Sequence, residues 1–205
     1  FWGGGHSLQF TYTHMMVITW LWLASANGYR LWIPQQGVNF LLSLNVMMVI
    51  PGLVIYLLHP AYTAEHIDFF TQQMRYGGGI AAGVVGICIL WALVSQPLKL
   101  GGSRIEFSAL ICSVALFGYG GILGHLIHGY NVTIPAHYHG SIVGVTLAFM
   151  GLAYHFLPKL GYSPVKGKLA LWQPYLYAGG QLLHITGLAV SGGYGALRKT
   201  PGAVA

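Results

Sequence analysis

The sequence predicts an all-α fold, a polytopic transmembrane bundle of about six helical spans, and three observations support that prediction. Of the 205 residues, 55% are hydrophobic and only 6% are charged, whereas roughly a quarter of the residues in a soluble domain carry charge. The apolar residues are gathered into stretches close to the ~20 residues that a helix needs to cross the hydrocarbon core. Residues that favour turns separate these stretches.

The apolar stretches can be placed in chain order from their turn-forming boundaries. The first ends at Asn27-Gly28, the third at Gln96-Pro97 and the fifth at Pro158, where glycine and proline interrupt a helix. The spans are predicted at 8–26, 38–58, 77–95, 105–127, 136–157 and 169–190. No soluble segment interrupts them, so residues 1–205 are predicted to form a single membrane domain. Because the chain opens without a methionine, we expect it to be a fragment of a larger subunit.

The basic residues indicate membrane topology and no nucleic-acid partner. They lie in short connections without forming a run, although the net charge is +6. Most of them follow spans one, three and five, at Arg30, Lys99, Arg104, Lys159, Lys166 and Lys168. Since positively charged loops tend to stay in the cytoplasm, these connections are predicted to be cytoplasmic and the others to face outward. The lipid bilayer is then the main environment of the chain.

Most of the ten histidines lie toward the predicted outer face, which indicates a site because polar residues at membrane depth are usually functional. Neutral imidazole is an ordinary ligand of copper, iron and haem. His137 and His139 begin the fifth span, and side chains two positions apart on a helix point about 200° apart. They therefore cannot share one metal ion, but each could hold a planar cofactor on its own side. The alternative is two interfacial histidines that reach toward lipid headgroups.

Two motifs resemble the catalytic subunit of the haem-copper oxidase superfamily, which contains terminal oxygen reductases and nitric oxide reductases. Residues 128–139, His-Gly-Tyr-Asn-Val-Thr-Ile-Pro-Ala-His-Tyr-His, and the apolar helix that follows them resemble the family's haem-ligand helix. The segment from Trp2 to His6, with three glycines between, resembles the helix that supplies the first ligand of the non-haem metal. His59 lies near the family's adjacent histidine pair. The order of the six spans is similar to the C-terminal half of subunit I, so the resemblance covers nearly the whole chain.

The resemblance implies two haems. His137 would be the axial ligand of a high-spin haem that binds the gas, and His139 one axial ligand of a low-spin haem that delivers electrons. His128 would lie near the haem propionates. Arg198 would pair with the propionates through charge-assisted hydrogen bonds, or it is an ordinary flanking charge. The family helix that supplies the second low-spin ligand has no counterpart here, so a missing N-terminal half or a further oxidase subunit is expected to supply it.

The resemblance also implies a non-haem metal held by His6 and His59, copper in an oxidase or iron in a nitric oxide reductase. Its third ligand is unassigned, because a proline follows His59 where the family has a second histidine. His66 could contribute only if that proline breaks the helix, since seven helical residues rise about 10.5 Å. Oxygen reductases can carry a catalytic tyrosine four residues after the first ligand, but Phe10 stands there. Tyr56 and Tyr62, each three residues from His59, are the remaining candidates, and Tyr56 is preferred because residues three apart share one helical face.

Three functions are consistent with these residues. The first is the catalytic subunit of a respiratory terminal oxidase that reduces O2 to water with electrons from cytochrome c or a similar donor. The second is a nitric oxide reductase on the same fold, which converts two NO to N2O. The third is a haem-binding membrane subunit that transfers electrons without catalysis. The expected location is a bacterial or archaeal cytoplasmic membrane, or the mitochondrial inner membrane, with the haem and metal site toward the outer side.

Overall fold

The computed structural model describes residues 2–96 and 104–199, and this part of the chain is helical apart from turns, short connections and one isolated bridge between Asn131 and Leu197. The prediction of an all-α fold is confirmed. In chain order the helices are α1 (Trp2–Ala26), α2 (Gln35–Met47), α3 (Ile50–Leu58), α4 (Ala64–Gly77), α5 (Ile80–Ser95), α6 (Arg104–His125), α7 (Thr133–Phe156), a 3-10 turn (Leu157–Leu160) and α8 (Lys168–Gly193).

Four helical stretches in the described residues are long and apolar enough to cross a membrane, which indicates a membrane protein. They are Gln35–Leu58, Ala64–Ser95, Arg104–His125 and Thr133–Leu160, and they overlap the predicted spans two to five. Helices α1 and α8 cover the predicted spans one and six, with 25 and 26 residues. They are long enough to cross a bilayer but less apolar, so the number of six spans stays a prediction.

The predicted second span is interrupted near its middle. Helix α2 ends at Met47, and α3 begins at Ile50 with a proline in its first turn, where the missing proline N–H breaks no hydrogen bond. The carbonyl oxygen of Met48 accepts a hydrogen bond from the Gln73 side chain of α4 at 2.7 Å. The amide thereby satisfies a backbone group that the interrupted helix leaves without a helical partner.

Helix α4 lies in the segment predicted to be a connection between spans two and three. Thr63 caps it, because its hydroxyl oxygen accepts the backbone N–H of His66 at 3.3 Å. Glu65 in the first turn and Arg75 in the last turn complement the helix dipole. Local capping and charge therefore favour a helix where hydropathy alone favours a break.

The chain divides into two compact units, Phe1–Gly102 and Ser103–Ala205, where the sequence predicts one membrane domain. In unit 1, α1 packs against α2, α4 and α5. The indole N–H of Trp2 donates to the Thr71 hydroxyl at 3.2 Å and links α1 to α4. At the end of α5, the side-chain amide of Gln96 accepts from the backbone N–H of Arg30 and donates to its carbonyl oxygen.

Unit 2 is a three-helix arrangement in which α6, α7 and α8 all contact one another. The backbones of α6 and α7 approach closely at Gly120, where an added Cβ would lie 2.6 Å from the backbone nitrogen of Ser141. Small residues at such crossings allow membrane helices to pack through their backbones. Leu123, Leu147 and Ile185 are buried in the core of this unit, so each helix contributes a large apolar side chain.

Candidate haem-ligand site

His137 lies in the second turn of α7 and is oriented by α6. Its Nδ1 is 2.7 Å from the carbonyl oxygen of Gly120. Because a carbonyl oxygen can only accept, Nδ1 carries the proton and Nε2 keeps its lone pair. Histidines that bind a metal usually donate their other ring N–H to such a carbonyl, which fixes the tautomer and the ring orientation. His137 therefore has the arrangement expected of an axial ligand.

The ring of His137 fits beside α6 because residue 124 is a glycine. A Cβ added at Gly124 would lie 2.6 Å from Nδ1 and 2.7 Å from Cε1 of His137. Any other residue at this position would displace the ring or move the helices apart. The orientation of His137 thus depends on two glycines one turn apart on α6. Gly120 provides the carbonyl oxygen that accepts the hydrogen bond, and Gly124 leaves room for the ring because it has no side chain.

His139 points toward another helix. Its ring meets the ring of His184 on α8, with centroids 5.2 Å apart and planes nearly perpendicular at 79°. Since His137 contacts α6, the two imidazoles leave α7 on different sides, as the two-residue spacing predicts. This geometry places the two rings against different helices, so His137 and His139 do not share a single metal ion.

Arg198 is held near these histidines by paired backbone segments. The N–H of Val132 donates to the carbonyl oxygen of Ala196 at 3.0 Å, and the N–H of Arg198 donates to that of Tyr130 at 3.2 Å. The guanidinium of Arg198 lies 5.8 Å from the ring centre of Tyr138, the residue between the two histidines. The pairing of these segments therefore brings a permanent positive charge to the start of α7.

His128 belongs to the same end of unit 2, since its carbonyl oxygen accepts a hydrogen bond from the Asn131 side chain at 3.0 Å. Histidines and an arginine are gathered here: His128, His137, His139, His184 and Arg198. The only acidic residue in positions 103–205 is Glu106, which pairs with His155 at the other end of α7. The composition of this end suits an anionic group such as a carboxylate of a cofactor.

In unit 1, the sequence-predicted residues have separate surroundings. Nδ1 of His6 donates to the carbonyl oxygen of Trp2 at 2.9 Å, and the ring of His59 packs on Phe69 at 4.8 Å between centroids. In the described residues, no three His, Cys, Asp or Glu side chains are grouped so that they could hold a metal ion. His6 and His59 are therefore not assembled with a third ligand, and the non-haem metal stays a prediction.

Tyr56 lies between α1 and α4. Its hydroxyl oxygen is 2.6 Å from the position of a Cβ added at Gly3, three residues before His6. Its ring meets the ring of His66 edge-on, with centroids 4.9 Å apart. The candidate catalytic tyrosine therefore lies beside the first turns of α1 and next to His66, which was predicted to be a possible ligand only if Pro60 breaks the helix.

His66 was predicted to reach the metal site only if Pro60 breaks the helix, and the structure has that break. Helix α3 ends at Leu58 and α4 begins at Ala64, so the helix is broken at Pro60. His66 is 1% exposed, and its Nδ1 donates to the carbonyl oxygen of His59 at 3.0 Å. Thr63, three residues before His66, is the capping residue from which the start of α4 could have been predicted.

The similarity of this chain to known proteins extends over both units. No protein-family model and no solved structure matches the chain. It is 33% identical to an uncharacterized protein of Rickettsia prowazekii (strain Madrid E) over 244 residues, covering 100% of this chain and 47% of that protein. It is 26% identical to an uncharacterized protein of Aquifex aeolicus (strain VF5) over 181 residues, covering 85% of this chain and 42% of that protein. The chain thus spans about half the length of the curated relatives it matches.

Proposed function

We propose that the chain is the haem-binding part of a membrane oxidoreductase similar to the haem-copper oxidases, a respiratory terminal oxidase that reduces O2 to water. The observation that supports this most directly is His137, whose Nδ1 donates to the Gly120 carbonyl oxygen at 2.7 Å and leaves Nε2 as the donor atom for a metal. A haem bound there would supply an iron that binds the gas and passes electrons to it.

The residues around His137 have distinct roles in this proposal. Gly120 and Gly124 orient the imidazole, one as a hydrogen-bond acceptor and the other by leaving room for the ring. Arg198, held over Tyr138, would neutralise a propionate, and His128 would lie near it. His139 would hold the low-spin haem from its own side of α7, with its second ligand supplied by another part of the full-length protein or by another subunit.

Oxygen is proposed ahead of nitric oxide because of Tyr56. Reduction of O2 to water needs four electrons and four protons, and a tyrosine beside the non-haem metal can supply one of each. The Tyr56 hydroxyl lies next to Gly3, three residues before the candidate metal ligand His6. Nitric oxide reduction is the second candidate, since the buried Phe10 stands where an oxygen reductase can have its tyrosine, and two NO require only two electrons.

Removing each histidine in turn tests the haem assignment in the full-length protein purified from membranes. We expect His137→Ala to abolish the carbon monoxide difference spectrum, because carbon monoxide binds only the five-coordinate, high-spin iron. We expect His139→Ala to remove the low-spin haem spectrum while carbon monoxide still binds. His155→Gln, at the opposite end of α7, is the matched control and should keep both spectra.

The same measurements separate the three functions. If His137→Ala and His139→Ala both leave the carbon monoxide spectrum intact, the two-haem assignment is wrong. If the wild-type protein contains haem but binds no carbon monoxide, the result supports a subunit that transfers electrons without catalysis and contradicts the oxidase. Turnover then distinguishes the gases: oxygen uptake that is lost in Tyr56→Phe supports the oxidase, whereas N2O formation with negligible oxygen uptake supports the reductase.

A further inference from the structure

An open groove lies in unit 2 between the last turns of α7 and the first three turns of α8. Its volume is about 590 Å3, and Tyr154, Val165, Leu169, Gln173, Leu176 and Tyr177 line it. Of the α8 residues that line it, Gln173, Leu176 and Tyr177 lie four, seven and eight residues after Leu169, so these four share one face of that helix. Leu169 and Leu176 are 90% and 71% exposed, so the floor of the groove is apolar surface that other parts of unit 2 leave uncovered.

One polar pair interrupts this apolar surface. The hydroxyl of Tyr154 donates to the side-chain carbonyl oxygen of Gln173, which joins α7 to α8 across the groove. Every other side chain that lines it is apolar apart from the hydroxyl of Tyr177. An occupant therefore needs a long apolar portion that can lie along Leu169 and Leu176.

Three lysines lie next to the groove residues in the sequence. Lys159, Lys166 and Lys168 lie within ten residues of one another and are exposed, and Lys166 and Lys168 directly flank the groove residues Val165 and Leu169. The nearby carboxylate of Glu106 is bonded to Nδ1 of His155 at 3.0 Å, while Lys159 donates to Nε2 of the same ring at 2.9 Å. Glu106 is thus already paired within the protein, and it is the only acidic residue in positions 103–205, so this part of unit 2 carries an excess of positive charge.

We propose that this groove binds an anionic phospholipid. Its acyl chain would lie along Leu169 and Leu176, and its phosphate would contact Lys166 and Lys168. The groove starts near the C-terminal end of Thr133–Leu160, a stretch long and apolar enough to cross a membrane, and the end of such a span is where a lipid headgroup would lie. A zwitterionic lipid fits less well, because its own ammonium group would be brought close to the lysines.

Lipid exchange into the purified full-length protein tests the proposal. The protein in detergent is titrated with phosphatidylglycerol or phosphatidylcholine, and bound lipid is counted by native mass spectrometry. We expect phosphatidylglycerol to bind more tightly, and each of Lys166→Gln and Lys168→Gln to weaken it about fivefold, the factor that corresponds to about 1 kcal/mol per basic residue. Lys199→Gln, beyond the other end of α8, is the matched control and should leave the affinity unchanged.

The apolar half of the groove has its own test. Leu176→Ser should weaken phosphatidylglycerol binding, whereas Leu183→Ser, on the same helix at 78% exposure but outside the groove, should leave it unchanged. Equal affinity for both lipids, or equal loss in the groove variants and their controls, would overturn the proposal. A photoreactive phenylalanine derivative in place of Leu176 should crosslink to lipid. Crosslinking to a protein subunit instead would show that the groove is a subunit interface and would also overturn it.

Discussion

Replacing Gly124 by alanine is the sharpest way to disturb His137 without removing it. The new Cβ would lie 2.6 Å from Nδ1, roughly 0.8 Å inside the 3.4 Å at which ordinary contact begins. The imidazole must therefore tilt away, and its 2.7 Å hydrogen bond to the Gly120 carbonyl oxygen is lost or lengthened.

The cost of Gly124→Ala follows from three contributions. Loss of the hydrogen bond costs about 1 kcal/mol, and overpacking costs about 1–3 kcal/mol. Alanine in place of glycine returns about 1 kcal/mol of helix propensity. The net destabilisation of unit 2 is therefore about 1–3 kcal/mol. Because His137 also loses the partner that orients it, we expect haem affinity to fall about 10–100-fold.

The assay compares Gly124→Ala with Gly121→Ala on the same helix. A Cβ at Gly121 meets no atom within 4 Å, so this control should keep haem content and the carbon monoxide spectrum, and the gain in helix propensity should raise its thermal midpoint slightly. Gly124→Ala should lower all three. If Gly124→Ala binds haem and carbon monoxide as the wild type does and unfolds at the same temperature, the ring of His137 is not seated against α6, and the ligand argument fails.

Three further predictions concern other parts of the chain. Glu106→Gln should weaken the contact between α6 and α7 by about 1.5 kcal/mol, since it removes the charged acceptor of the His155 ring N–H; an unchanged thermal midpoint would contradict this. An impermeant thiol reagent should reach Lys166→Cys from the cytoplasmic side and Tyr130→Cys from the outside, and labelling of Lys166→Cys from outside would overturn the topology. Tyr56→Phe should retain haem but lose most oxygen turnover, and full turnover would remove Tyr56 from the mechanism.

Composition and hydropathy were sufficient to predict an all-α chain with apolar helices, because the cost of burying an unpaired backbone in lipid favours helices over other structures. They did not predict α4, whose sequence between Thr63 and Arg75 is too polar to be recognised as a span. Its helix depends on a cap and on terminal charges, which are local signals that hydropathy averages away. The break at Met48 was also missed, because the Gln73 amide that accommodates it is 25 residues distant.

The candidate site was only partly predictable for a related reason. The two-residue spacing of His137 and His139 was enough to predict that their rings face different neighbours, since helical geometry is local. The neighbours themselves were not predictable: Gly120 and Gly124 are ordinary-looking glycines in an apolar helix, and His184 is 45 residues from its ring partner. Packing between distant segments decides these contacts, and no spacing within one helix encodes them.

Arg198 is a second residue whose role depends on packing between distant segments. By sequence it is one of two adjacent basic residues after the last helix, where flanking charges are common. Its backbone N–H donates to the carbonyl oxygen of Tyr130, and the carbonyl oxygen of Ala196 accepts from the N–H of Val132. The residues just before α7 therefore also hold the arginine. A group that binds His137 and carries a carboxylate would therefore find the imidazole and the guanidinium of Arg198 at the same end of unit 2. Arg198→Gln should consequently weaken haem binding without changing the ligand spectrum, whereas a mere flanking charge would leave haem affinity unaltered.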